Sequence, residues 1–291
     1  PVDLVQWIRE RTSRRLTSMF MAHKDISFIL ATGGPSMVHA AYSSGTPAIG
    51  VGPGNAPVWI CPDADLDTAA EMVIRSKSFD NGVICASENN LVVDASVRAG
   101  FIAALEAHGA ALLSAEETDV LTRFAIDPEK DRLRREVVGL SAGRIAGDAG
   151  IQRESPIRLL VVPQSIEQVE GAYGKEKLAP ILSLFTVEGE AEALELCKRI
   201  LANEGIGHTA IIHTQDQGLI SRFGMEMPAS RVLANAPGSL GSIGLGTGLT
   251  HSMTLGCGTW GSTSTTDNVG FGDLLNINRI AQALLGDSKK A

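Results

Sequence analysis

Strand-like and helix-like segments take turns along nearly the whole chain, and that alternation confines it to parallel sheet joined by crossover helices. Residues 13–24 read as a helix with Leu16, Met19 and Phe20 on one side, and 26–31 as a buried strand. Thr32-Gly33-Gly34-Pro35 ends that strand and opens a helix over 37–44, with proline in the first turn where its missing N–H costs nothing. A strand over 46–51 follows, then a helix capped by Asp65 or Asp67 and running to about residue 79. Beyond Cys85 the pattern resets into a second α/β unit. Its predicted parts are strand 91–94, helix 95–108, a charged helical stretch 127–138, strand 158–162, strand 181–187, helix 190–203, strand 208–213, helix 217–223 and strand 230–235. Residues 237–261 carry eight glycines, too many for a regular element, and are expected as an irregular segment packed near a site. From Asp267 the tail gives a short strand-like Leu274-Leu275-Asn276-Ile277 and then a helical or frayed end with Lys289 and Lys290.

With 291 residues, 44% hydrophobic and 20% charged, the chain can bury one large core or two ordinary ones. No apolar run approaches the roughly 20 residues that span a bilayer. Asp3, Arg9 and Glu10 around Trp7-Ile8 break the order of a signal peptide, so a cytoplasmic location is expected. A net charge of −8 opposes binding to a phosphate backbone, which excludes nucleic acid as a general partner. Cys61, Cys85, Cys197 and Cys257 are far apart, which fits reduced thiols better than a disulfide framework. Neither they nor the six histidines show zinc spacing, so no metal is expected.

The segment 79–87 places one cysteine on a glycine-containing turn between a helix that has ended and a strand about to begin. Such junctions hold a side chain on rigid neighbours while leaving a face open. A free cysteine is more often a buried apolar thiol. Against that, Asn81 and Gly82 precede Cys85, and Ser87 and Glu88, poor core neighbours, follow it. Past a helix carboxyl end the dipole raises a thiol's pKa, so activation has to come from a cationic ligand or a base. Other motifs are weaker. Gly50-Val51-Gly52-Pro53-Gly54-Asn55 displaces the third glycine of a dinucleotide fingerprint and reads as a tight turn. Asp63, Asp65 and Asp67 imitate a calcium loop, but Thr68 and Ile74 stand where glycine and glutamate are needed, and helix capping accounts for them.

Six segments in order resemble the CoA-acylating aldehyde dehydrogenases, above all the acetaldehyde dehydrogenase part of bifunctional aldehyde–alcohol dehydrogenases. They are residues 29–35, 41–45, 50–55, 79–87, 205–209 and 254–261, and the likeness covers essentially the whole chain. The resemblance implies an α/β fold of three α/β/α layers with parallel sheets. Residues 1–82 would be the C-terminal part of an NAD-binding domain, 83–266 a catalytic thiol domain, and 267–291 a C-terminal segment with an oligomerisation strand. It also implies a large segment upstream of Pro1, with the rest of the cofactor domain and a side-chain oxyanion donor, and an iron-dependent alcohol dehydrogenase domain absent from these 291 residues.

By position, the resemblance makes Cys85 the nucleophile that attacks an aldehyde, and Thr32, Gly33 and Gly34 the turn facing the nicotinamide of NAD. Glu176 is similar to a glutamate that holds the nicotinamide ribose; a solvated charge beside Lys175 and Lys177 is the plainer reading. His208 falls on a candidate proton shuttle, and is otherwise a satisfied histidine at a strand start. Hydrolytic relatives carry a glutamate near Gly50-Val51 that activates water, whereas residues 50–57 here contain no acid. The expected reaction is therefore aldehyde plus NAD and CoA to acyl-CoA and NADH through a cysteine thioester, in a homo-oligomer. A hydrolytic dehydrogenase and a non-catalytic assembly subunit are the alternatives.

Overall fold

Helix starts are encoded locally. Ser13, Asp65, Ser114, Ser141 and Asp216 each precede a helix and accept a hydrogen bond from its first free N–H groups. In a computed structural model of the protein, which describes residues 2–283, the strands between these helices form three sheets. The first part holds α1 (Arg14–Met21), β1 (Ile29–Thr32), α2 (Pro35–Tyr42) and β2 (Ala48–Val51), with β1 and β2 paired in parallel. Next come β3 (Ala56–Ile60), α3 (Leu66–Ser78), β4 (Glu88–Asp94), α4 (Arg98–Ala107), β5 (Ala110–Leu112) and α5 (Ala115–Ala125). A small antiparallel pair, β6 (Ile126–Asp127) and β7 (Arg132–Leu133), leads to α6 (Ala142–Ala149) and β8 (Leu159–Pro163). The rest is β9 (Ile181–Val187), α7 (Glu190–Asn203), β10 (Gly207–His213), α8 (Gln217–Glu226), β11 (Ala229–Ala234) and the short α9 (Gly238–Ser242).

The large sheet has seven strands in the order β11-β10-β3-β4-β9-β8-β5, every pair parallel. Strand side chains alternate between faces, so successive residues feed two cores. Val58, Ile60, Leu91, Val93 and Leu184 pack against Val73 and Ile74 of α3 and Phe101 and Leu105 of α4. Trp59, Val92 and Phe185 point the other way, onto Leu196 and Ile200 of α7 and Phe223 of α8. Trp59 and Phe223 lie with ring centroids 5.9 Å apart and tilted by 49°, a favoured aromatic geometry. Helices thus cover both faces, giving three α/β/α layers.

The predicted strand 181–187 and helix 190–203 match β9 and α7 residue for residue. Four expectations need correction. The charged stretch 127–138 forms no α-helix: the helix lies upstream as α5, opened by a Ser114/Glu117 capping box, Asp131 at φ 46° turns the chain between β6 and β7, and only Arg135–Val137 make a single 3-10 turn. Residues 56–60, assigned no element from the sequence, form β3; proline is uncommon in a central strand, and here the register shifts between Ala56 and Pro57, which accommodates the missing N–H. β4 begins at Glu88, so Ser87, Glu88, Asn89 and Asn90 are buried and not exposed neighbours of Cys85. Leu274-Leu275-Asn276-Ile277 forms no strand; a single turn over Phe271–Leu274 precedes exposed chain, and among the described residues no strand pairs with it. The end with Lys289 and Lys290 lies outside the described residues.

β3 and α3, which a division at residue 82 assigns to the smaller unit, are built into the large sheet and its core. Residues 52–55 are the crossing between the two sheets. That crossing sets the carboxyl ends of β1 and β2 against the amino ends of β3, β4, β9 and β10. Among the described residues no helix is long and apolar enough to cross a membrane.

Candidate active site

The Cys85 turn is shaped by three residues in left-handed conformation. After α3 ends at Ser78, Asp80 (φ 47°), Asn81 (φ 50°) and Gly82 (φ 75°) reverse the chain. Aspartate and asparagine tolerate this region better than other side chains. Asn81 Nδ2 donates to the Gly139 carbonyl at 3.0 Å, and a Cβ at Gly82 would sit 2.6 Å from the Ala179 carbonyl oxygen. Below the turn, the fully buried Lys77 donates to Ser87 Oγ (3.2 Å), Asn89 Oδ1 (3.3 Å) and the Lys177 carbonyl (2.8 Å). The polar run after Cys85 is therefore a buried network that ties the turn down.

Cys85 is partly buried on the wall of a cavity of about 370 Å³, a size at the lower end for small-molecule sites. Thr32, Gly33 and Gly34 line it from the end of β1, Gly52 and Pro53 from the end of β2, and Glu176 and Leu178 from the approach to β9. Ile243, Met253 and Leu255 come from the glycine-rich stretch. His208, second residue of β10 and fully buried, brings Nε2 to 3.2 Å from Cys85 Sγ, while its Nδ1 lies 2.9 Å from Thr209 Oγ1. With the ring proton on Nδ1, donated to Thr209, Nε2 is free to accept from the thiol.

Burial raises the Cys85 thiol to about 12, with Glu176 and Cys257 adding to the rise and Arg231 opposing it. Burial, helped by Arg231, lowers His208 to about 3. The resting pair is a neutral thiol beside a neutral imidazole. Glu176 is no solvated charge: its Oε1 accepts from Gly54 N at 2.9 Å, its own N–H donates to Glu204 Oε2 at 2.9 Å, and burial raises it to about 7. Its neighbour Lys177 is fully buried, donating to the carbonyls of Tyr173 and Lys175. The cavity thus contains one carboxyl, supplied from the β9 approach and not from residues 50–57.

Gly34 caps α2 in extended conformation without a side-chain cap, and a Cβ at Gly34 or Gly52 would meet nothing within 4 Å. The wall between β1 and α2 is therefore bare backbone ending at a helix amino terminus, which suits close approach by a flat ligand with anionic groups, as the nicotinamide end of a dinucleotide has. Among the described residues no three His, Cys, Asp or Glu side chains gather as a metal site.

The structure brings together five of the expected residues, Thr32, Gly33, Gly34, Cys85 and Glu176, around one cavity, with His208 behind the sulfur. Sequence reasoning missed Gly54, which lies so close to Cys85 that a Cβ would overlap the cysteine's carbonyl, and Arg231. The signal for Arg231 was one charge inside an apolar strand. The contribution of Ile243, Met253 and Leu255 was foreshadowed only by the glycine density around them.

Residues 1–254 match the model of the aldehyde dehydrogenase family. The chain is 39% identical over 287 residues to the bifunctional aldehyde-alcohol dehydrogenase AdhE of Escherichia coli K12, covering 97% of this chain and 32% of that protein. It is 36% identical over 285 residues to a sulfoacetaldehyde dehydrogenase of an Acholeplasma species, covering 97% and 58%. The crystal structure of an acetylating aldehyde dehydrogenase from Geobacillus thermoglucosidasius superposes with a TM-score of 0.89 at 41% identity, over 96% of this chain and 61% of that one. The chain thus spans from a third to three fifths of the length of these relatives. With the cysteine turn, the glycine wall and the three-layer fold on one side and these matches on the other, the chain belongs to the aldehyde dehydrogenase family.

Proposed function

We propose that this chain carries the thiol half of a CoA-acylating aldehyde dehydrogenase, which converts an aldehyde, NAD and CoA to acyl-CoA and NADH. The observation that carries this reading is the 3.2 Å approach of His208 Nε2 to Cys85 Sγ at the cavity wall. Cys85 sulfur adds to the aldehyde carbon as His208 takes the thiol proton, so charge separates only when a substrate is present to accept it. The new oxyanion is assigned to backbone N–H groups at the Cys85 turn. Thr32, Gly33 and Gly34 would hold a nicotinamide, which when oxidised would supply the hydride acceptor and a positive charge. The oxyanion collapses to a thioester on Cys85 as the former aldehyde C–H bond breaks and its hydrogen leaves as hydride to that acceptor. CoA sulfur then attacks that carbonyl, the Cys85–carbon bond breaks, and His208 relays the proton from the incoming thiol to the departing one. One thioester is exchanged for another, so the reaction is reversible.

Glu176, fixed by Gly54, is assigned to the ribose side of the cofactor. NAD is preferred to NADP on the resemblance, and we place the protein in the cytoplasm as a homo-oligomer. The relatives named for acetylating or acylating activity support the choice of CoA as acceptor. NADH formation from acetaldehyde, followed at 340 nm with and without CoA, tests it. Turnover that requires CoA is expected; equal rates without CoA transfer the assignment to a hydrolytic enzyme, for which the Glu176 carboxyl would be the candidate base.

A further inference from the structure

Arg231, in β11, is only 3% exposed yet forms none of the ion pairs among the described residues. Its Nη2 donates to the carbonyls of His208 (3.2 Å) and Gly256, its Nη1 to the Thr266 carbonyl (3.1 Å) and Asn268 Oδ1 (3.4 Å), and its Nε has no partner. A buried permanent charge held by neutral acceptors alone is costly. A staple for the glycine-rich stretch needs donors but no charge.

The placement of that charge gives it a use. The guanidinium bridges the backbone of the histidine that faces Cys85 and the glycine next to Cys257. We propose that Arg231 is a positioning residue for the thiol pair: it anchors His208 in register with the Cys85 turn and supplies the standing positive charge that favours sulfur carrying negative charge. This rests on Cys85 being the nucleophile. At that sulfur the charges of Glu176 and Cys257 disfavour thiolate and that of Arg231 favours it, with His208 Nε2 at 3.2 Å. The charges acting on the guanidinium are those of Cys257, Cys85 and Asp267. Among them Arg231 is the one group with a fixed positive charge.

Alkylation of Cys85 by iodoacetamide as a function of pH, mapped by peptide mass, reads this directly and needs no turnover. Arg231→Met is expected to move the alkylation profile up by about one pH unit, so that the rate at a given pH below the midpoint falls about tenfold. Arg231→Lys, which keeps the charge, is expected to stay within about threefold of wild type in alkylation while losing the forked anchor and with it turnover. Circular dichroism and melting establish that each variant is folded. A folded Arg231→Met with an unchanged profile overturns the proposal, whatever its turnover, because only a staple has then been removed. If Arg231→Met does not fold, Asn268→Asp sets a carboxylate against the same guanidinium; an upward shift is expected, and no shift overturns the proposal. Wild-type alkylation that maps elsewhere than Cys85 refutes the nucleophile itself and is thereby distinguishable from a failure of Arg231 alone.

Discussion

Cys85 and His208 meet as uncharged partners at neutral pH, and each owes that state chiefly to burial. A thiol titrating near 12 is protected from adventitious chemistry until a substrate or a cationic ligand arrives. Iodoacetamide should therefore modify Cys85 slowly near pH 7, faster as pH rises, and faster at fixed pH when NAD is added; a rate indifferent to both contradicts the raised thiol. His208→Asn should lower kcat by about 10²–10⁴ with little change in aldehyde KM, since the lost proton transfer belongs to the transition state. Steady-state kinetics decide that. A second buried histidine, His213, has no partner for Nε2 and is lowered to about 4 by burial. Its folded value lies below the ordinary one near 6.5, so the stability it contributes is present above 6.5 and is lost as pH falls toward 4. Relative to wild type, His213→Gln should gain stability as pH falls through that window, by about 1.4 kcal/mol per pH unit, in urea titrations. Constant differences across the window contradict it. The placement of Cys85 at a cavity wall was legible in the sequence from its turn, but for a partly mistaken reason: the polar residues after it are buried partners of Lys77, and side-chain pairing between distant segments has no local signature.

At the scale of elements, strands and helices with local caps and unbroken apolar runs could be read directly, as β9 and α7 show. Elements decided by tertiary pairing could not. Pro57 speaks against a strand, yet β3 is central because β10 and β4 pair with it on either side around a register shift. The junction before β3 is also where the two sheets meet the site. Gly54 there packs on the Cys85 carbonyl and donates to Glu176. Gly54→Ala forces the Cys85 turn and the β3 entry apart, which should destabilise the protein by about 1–3 kcal/mol and lower acylation by more than the loss of folded protein explains. Urea unfolding alongside activity per folded molecule tests both; an Ala variant with wild-type activity and stability contradicts the close approach.

For the whole molecule, the cleft between the two sheets is the organising feature: the ends of β1 and β2 present bare backbone, and the large sheet presents sulfur, histidine and carboxyl. At the edge of that sheet β11 pairs, among the described residues, only with β10; Phe271, which lines a cavity with Ser230 and Arg231 of β11, is exposed, as are Leu274, Leu275 and Ile277 further along the chain. A free strand edge can pair with another chain, and the proposed homo-oligomer predicts that light scattering returns an assembly; a monomer at micromolar concentration removes that expectation. The central claim is that Cys85 carries the acyl group between aldehyde and CoA. The most direct measurement is intact mass after incubation with acetyl-CoA, followed by peptide mapping. One acetyl adduct on Cys85, absent in Cys85→Ser and discharged by added CoA, is the expected result; no adduct, or one on another residue, contradicts the account.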